Sequence, residues 1–211
     1  MTPRGNLIIV SGPSGSGKSS ISSGALEALP GLRFSVSYTT RPPRGGEKDG
    51  VHYRFVTRGE FDRLIACGEL LEWAEVYGNL YGTSGRVIQE VVDRGEDMLL
   101  DVDVQGARSI RQKRPGAVSV FIMPPSYEVL RTRLEQRKLD KDYVIEHRLR
   151  IACSEVRQYI DFDYLIINEE LPRAVGELKA IITGTRCRMS RRGGSAQAIV
   201  ASFGGVDAEN P

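Results

Sequence analysis

One residue after the apolar run Leu7-Ile8-Ile9-Val10, the chain reads Gly12-Pro13-Ser14-Gly15-Ser16-Gly17-Lys18-Ser19, which fills every fixed position of a GxxxxGK[ST] loop. The chemistry of such a loop is polyphosphate binding. Its glycines let the backbone curl so that successive N–H groups point at phosphate oxygens, and the N-terminus of the following helix adds its positive dipole end. Lys18 would reach the β and γ phosphates, and the Ser19 hydroxyl suits the shell of a magnesium ion. A plain Gly/Ser-rich turn is the alternative. A complete motif placed between a strand and a helix argues against it.

A second group of chemical residues lies outside this loop: Arg41, Arg44, Tyr53, Glu72, Tyr81 and Thr83. Arginine forks hold a phosphate by paired charge-assisted bonds, and tyrosine hydroxyls can donate to its remaining oxygens. Glu72 adds base selectivity. Guanine shows adjacent N1 and N2 donors that one carboxylate can accept together, whereas adenine offers an acceptor at N1 that a carboxylate repels. A hydroxyl at Thr83 could serve O6. The bland readings are that the tyrosines pack in a half-buried layer and that Glu72, between Leu71 and Trp73, is an outward polar position on a strand.

The elements that must position these groups read as doubly wound α/β. Buried parallel strands are predicted at Leu7 to Val10, Met98 to Val102, Val118 to Met123 and Tyr164 to Ile167. Helices are predicted from Lys18 to about Leu29, and near Val104 to Lys113, Ser126 to Arg137 and Leu171 to Arg188. Asp101 ends a buried strand, where an acidic group can steer a magnesium shell through water. Asp103 faces the same way by strand periodicity, or caps the next helix.

Two segments interrupt the alternation. Residues 37–97 read as an inserted α+β subdomain, with short strands at Tyr53 to Val56 and Leu70 to Val76. Thr57-Arg58-Gly59-Glu60 is a capping box that opens one helix, and Gly95 fits just past the end of another. Residues 126–163 read as a lid region, whose second helix carries Ile145, Leu149, Ala152, Val156 and Ile160 at helical spacing. The main domain then spans 5–186, and 187–211 form a tail of small residues, partly disordered, with one helical turn at Ala198 to Ala201.

With 211 residues, one elaborated domain is the expectation. The net charge of +2, from 29 basic and 27 acidic residues, gives no reason to expect a nucleic-acid partner. Cys67, Cys153 and Cys187 are far apart and share no metal-ligand spacing with His52 or His147, which fits reduced thiols in a cytoplasmic protein. The apolar runs are strand-sized, so neither membrane insertion nor export is expected.

Beyond the phosphate loop, Phe34-Ser35-Val36-Ser37-Tyr38-Thr39-Thr40-Arg41-Pro42-Pro43-Arg44-Gly45-Gly46-Glu47, Gly78-Asn79-Leu80-Tyr81-Gly82-Thr83 and Leu100-Asp101-Val102-Asp103-Val104-Gln105-Gly106 occur in an order that resembles the guanylate kinase family, from about Asn6 to Lys179. The resemblance implies a P-loop kinase that transfers a phosphoryl group from MgATP to GMP, and to dGMP. It implies ATP binding by Gly12, Pro13, Ser14, Gly15, Ser16, Gly17, Lys18, Ser19 and Ser20, with Asn168 at the adenine. It places Ser37, Arg41, Arg44, Tyr53, Glu72, Tyr81, Gly82, Thr83 and Asp103 around GMP. Lys18, Arg41 and the lid arginines Arg137 and Arg148 would serve the transfer itself. Two departures stand out: Arg137-Lys138 replaces the Arg-Gly of many members, and Thr83 replaces a Ser of some. The tail, with Arg188-Met189-Ser190-Arg191, is similar to bacterial members and suggests a homo-oligomer formed through it.

Some alternatives stay open at this stage. Arg148 could pair with Glu146 or Glu155, and Asn168 could simply turn the chain after a strand. Guanylate-kinase-like modules of scaffold proteins bind protein partners and generally have degraded phosphate loops. Here Lys18 and Ser19 are intact.

Overall fold

The computed structural model describes residues 4–76, 78–136 and 142–203. The main sheet is parallel, in the order β2 (Leu32–Phe34), β7 (Asp97–Asp101), β1 (Leu7–Ser11), β8 (Val118–Met123) and β9 (Tyr164–Ile167). Strand alternation sorts β1 into two cores. Ile8 and Val10 join Leu99, Val120 and Ile122 beneath α1 (Lys18–Ala28) and α7 (Leu171–Arg186). Leu7 and Ile9 join Met98 and Leu100 on the other face, under α3 (Gly85–Asp93) and α4 (Val104–Lys113). Cover on both faces explains why β1, β7 and β8 read as near-continuous apolar runs, whereas the predicted burial of Tyr164 to Ile167 does not hold: β9 is an edge strand with only Ile166 buried.

The segment between β2 and α3 forms a separate four-stranded sheet, in the order β4 (Arg54–Phe55), β3 (Tyr38–Thr39), β6 (Asn79–Ser84) and β5 (Leu70–Val76). Its buried centre is Phe61, from α2 (Arg58–Ala66), with Leu80. The Thr57 capping box opens α2, and Gly95 adopts a φ of 83° just after α3. Two short strands, β2 and β3, carry too little apolar pattern to be predicted from periodicity.

The lid segment has its own small core, in which Leu130 and Leu134 of α5 (Tyr127–Gln136) meet Ile145, Leu149 and Ala152 of α6 (Asp142–Glu155). The predicted α-helical continuation through Val156 and Ile160 does not occur. The chain tightens into a 3-10 segment at Val156–Asp161, and Ile160 is 72% exposed. The tighter winding rotates later side chains off the apolar stripe.

The tail also differs from expectation. Instead of one turn, a 14-residue helix α8 spans Met189–Ser202, with no buried residue. Met, Arg, Ala and Gln favour this helix, Gly193 and Gly194 oppose it, and no packing accounts for its length. Among the described residues no helix is long and apolar enough to cross a membrane.

Candidate active site

The phosphate loop is a backbone construction whose neighbours leave no slack. Gly12 has a φ of 141°, and a Cβ there would lie 2.2 Å from the Ile122 carbonyl oxygen. Gly17 has a φ of 97°, and its Cβ would meet the Asn168 amide at 2.1 Å. Pro13 and Ser16 are buried, Ser14 and Gly15 half-buried, and Ser20 is exposed on α1. Lys18 Nζ donates to the carbonyls of Gly12 at 2.7 Å and Pro13 at 3.1 Å, so the ammonium folds back over the loop.

Asn168 sits just beyond β9 and is buried, and it donates from Nδ2 to the Ser16 carbonyl at 2.7 Å. The residue that sequence places either at an adenine or in a turn therefore holds the phosphate loop. Arg133, which sequence reasoning missed, joins it. Its NH2 donates to the Asn168 carbonyl at 2.9 Å and its NH1 reaches the Ser16 carbonyl at 3.5 Å. Its place four residues before Arg137 in the sequence was the signal available for it.

At the end of β7, Asp101 Oδ2 accepts from the Ser19 hydroxyl at 3.1 Å. Burial pushes the Asp101 carboxyl up, while Lys18 and the Ser19 hydrogen bond pull it down. A hydroxyl and a carboxylate are hard oxygen donors, which suits Mg2+, an ion that takes few protein ligands and keeps phosphate oxygens and waters. Among the described residues no group of three or more His, Cys, Asp and Glu could hold a metal by itself.

The inserted sheet presents the second group. Glu72 is buried, and its Oε1 accepts from the Thr83 hydroxyl at 2.6 Å. Burial raises the Glu72 carboxyl, the Thr83 bond lowers it, and nearby Asp103 raises it further. The single Thr83 proton is thus committed to Glu72. Serving a guanine O6, as the sequence suggested, requires that hydroxyl to turn away. Gly106, not among the predicted site residues, makes room for Glu72 and Asp103, since a Cβ there would lie 3.2 Å from Glu72 Oε2 and 3.4 Å from Asp103 Oδ1. Gly82 is equally confined, with Phe61 and Leu70 each 2.9 Å from where a Cβ would stand. Asp103 caps α4, accepting from the Gly106 amide at 2.7 Å, which is the structural alternative raised by its position.

Arg41 is buried and pairs with Glu47 through two bonds, NH1 to Oε2 at 3.0 Å and NH2 to Oε1 at 2.8 Å. Its guanidinium lies 5.4 Å from the Tyr53 ring centre, and the Tyr53 and Tyr81 rings meet edge to face at 5.9 Å. Burial raises the Tyr53 hydroxyl, Tyr81 and the charge of Asp101 raise it further, and Arg41 pulls it down. Arg44 is exposed, and Ser37 is half-buried with its carbonyl accepting from Arg54. Burial raises the Glu155 carboxyl at the end of α6, while Lys18 lowers it and Asp103 raises it. Arg148 lies half-buried on α6, and Arg137 falls outside the described residues.

The comparisons agree with one another. A family model described as Guanylate kinase matches residues 4–185. A guanylate kinase of Symbiobacterium thermophilum is 50% identical over 191 residues, covering 90% of each chain. One of Alkalilimnicola ehrlichii is 48% identical over 188 residues, covering 89% of this chain and 93% of the relative. The crystal structure of guanylate kinase from Anaplasma phagocytophilum superposes with a TM-score of 0.75 at 36% identity, over 90% of both chains.

Proposed function

Because this chain belongs to the guanylate kinase family, we propose that it transfers the γ-phosphoryl group of ATP to GMP, and to dGMP, giving ADP and GDP. The observation that carries the reading is Glu72, a buried carboxylate beside Asp103, two residues past the Asp101 that meets Ser19 of the phosphate loop. Its Oε2 has no hydrogen-bond partner among the described residues, and Oε1 keeps a second lone pair beside the Thr83 bond. That leaves room for the adjacent N1 and N2 donors of guanine.

The chemistry asks the protein for alignment, charge neutralisation and exclusion of water, since the transferring group passes through a loose in-line transition state. Gly12 to Ser20 cradle the ATP phosphates, and Lys18 leaves its loop carbonyls for the β and γ oxygens. Arg41, Arg44, Tyr53 and Tyr81 hold the acceptor phosphate, while Ser37, Gly82, Thr83 and Asp103 complete the GMP wall. The acceptor oxygen is already ionised, so no protein base is needed. Arg137 and Arg148 reach the transferring group when the lid 126–163 closes over the site together with the insert 37–97. Ser19, with Asp101 through water, would hold Mg2+, which supplies charge neutralisation on the phosphates when bound.

Asn168 borders the ATP site and would meet the adenine from its place on the loop. The enzyme would act in the cytoplasm. Self-association through the tail is supported by Ile199, Val200 and Phe203, which lie exposed at the end of α8 and its cap.

A coupled ADP-release assay with MgATP against GMP, dGMP, AMP, CMP, UMP and no acceptor tests the reading. Turnover confined to the guanine nucleotides is expected. Equal turnover with AMP would remove Glu72 as the base reader, and silence throughout with ATP bound would favour a binding module.

A further inference from the structure

The loop from Arg41 to Glu47 is closed on itself by one carboxylate. Glu47 Oε2 accepts from the Arg44 amide at 2.7 Å, and the Glu47 amide donates to the Arg44 carbonyl at 3.0 Å. The same carboxylate takes NH1 and NH2 of Arg41, end on, while NH1 also donates to the Pro42 carbonyl at 2.8 Å. A guanidinium has five N–H donors in a fixed plane. Glu47 and Pro42 take three: one each from NH1 and NH2 along the outer edge to Glu47, and the second of NH1 to the Pro42 carbonyl. The two left are Nε–H and the second hydrogen of NH2, which are parallel and form the other fork of the group. The rings of Tyr53 at 5.4 Å and Phe55 at 5.9 Å restrict its rotation, and Tyr81 also supports its charge. That second edge is where the guanidinium can still meet two oxygens of one anion, with the Tyr81 hydroxyl as a hydrogen-bonding neighbour of the group.

We propose that Glu47 is a positioning residue of the acceptor site: it grips Arg41 by its outer edge so that the Nε and NH2 fork is presented to the phosphate of GMP. This rests on the reading of Arg41 as a phosphate holder. Glu47 stays in place when GMP binds, and the phosphate adds to the pair instead of displacing it. The Arg41 guanidinium holds the Glu47 carboxyl below the usual carboxylate range, so the brace remains charged under ordinary conditions.

Electrostatics alone predicts the opposite sign. Removing a negative charge beside two arginines makes the site more attractive to a phosphate dianion. A brace predicts weaker binding, because a buried guanidinium loses its bidentate partner and its fixed plane. The direction of change in Glu47→Gln therefore separates the two.

The experiment is steady-state kinetics with MgATP and GMP on the full chain, for Glu47→Gln, Glu47→Asp, Arg41→Met and the Arg41→Met/Glu47→Gln double variant. The expected result for Glu47→Gln is a KM for GMP raised about 10- to 100-fold with the KM for ATP and the thermal midpoint little changed. Glu47→Asp recovers part of the loss, and in the Arg41→Met background Glu47→Gln adds nothing, as expected for a residue that acts through another. A lower KM for GMP in Glu47→Gln would overturn the proposal in favour of a carboxylate that competes with substrate. An unchanged KM, or a loss that adds fully to that of Arg41→Met, would overturn it as well. If Arg41→Met itself leaves the KM for GMP intact, the placement of the acceptor phosphate is what fails, and the role of Glu47 falls with it.

Discussion

The phosphate loop springs from β1, whose five residues are all buried, whereas the loop carrying Arg41 and Arg44 runs exposed from Pro42 through Gly46. The first is pressed against fixed backbone, as at Gly12 beneath the Ile122 carbonyl, and fastened by the buried Asn168 amide. The second is shaped by side chains that prop one another: Arg41 on Glu47, Tyr53 beside Tyr81, Glu72 on Thr83. A site cut from a covered sheet has almost nowhere to relax, while a site of mutual props can lose one member and settle into another arrangement. Changes to the ATP wall should therefore act on the chemistry itself, and changes to the GMP wall should grade the affinity for one substrate.

The largest effect is expected from Lys18→Met, a loss of about 10²–10³ in kcat measured in the coupled assay, with GMP binding by calorimetry preserved. A matching loss of GMP binding would erase the division between the walls. Phe61→Ala should come next. It removes the buried centre of the inserted sheet and costs about 3–5 kcal/mol where that sheet unfolds, read by hydrogen exchange. Binding of a non-hydrolysable ATP analogue should survive it. Loss of both ligands together would show that insert and core unfold as one unit.

Glu72→Gln is expected to raise the KM for GMP about 10- to 100-fold, since it replaces a charged acceptor of the base by a group with one donor end. Its effect on stability should have the opposite sign. Burial raises the folded-state carboxyl, so the unfolded chain releases that proton first, and wild type loses stability as pH rises from the ordinary carboxylate range through the raised value. Glu72→Gln lacks this term and should melt above wild type at neutral pH, with the gap closing in acid. A lower melting temperature at neutral pH would show that the Thr83 bond outweighs burial. The smallest effect concerns pH and catalysis. GMP binding needs Glu72 ionised, so wild-type affinity should fall with falling pH at values above the usual carboxylate range. GMP's own phosphate titrates in both proteins, so the ratio of wild type to Glu72→Gln isolates the side chain.

Most of the core was legible because its signals are local. The strand at Tyr164–Ile167, the helix at Val104–Lys113 and the Thr57 cap lie where apolar runs and capping residues put them. The strands β2 and β3 were not, because three and two residues carry no periodicity and their ladders come from partners far along the chain; nor was β6, whose Asn79, Gly82 and Ser84 break the apolar pattern. In the same way, Glu47 stood in the sequence as one acidic residue of a signature, with nothing local to say that its carboxylate closes on Arg41. Arg133 looked like one of many helix-surface arginines until β9 delivered Asn168 beside it.

The sequence by itself determined the phosphate loop, the residue types of the second site and the family, because each rests on identity and spacing along the chain. Only the tertiary structure decided the strand order that sets β7 next to β1 and so brings Asp101 to Ser19. It also decided that Glu72 is buried against Thr83, that Asp103 is a helix cap, and that Asn168 fastens the loop. Those outcomes depend on which groups meet after the chain has crossed the sheet. A hydrogen bond between residues more than a hundred positions apart, such as Asn168 to Ser16, leaves no periodicity to read.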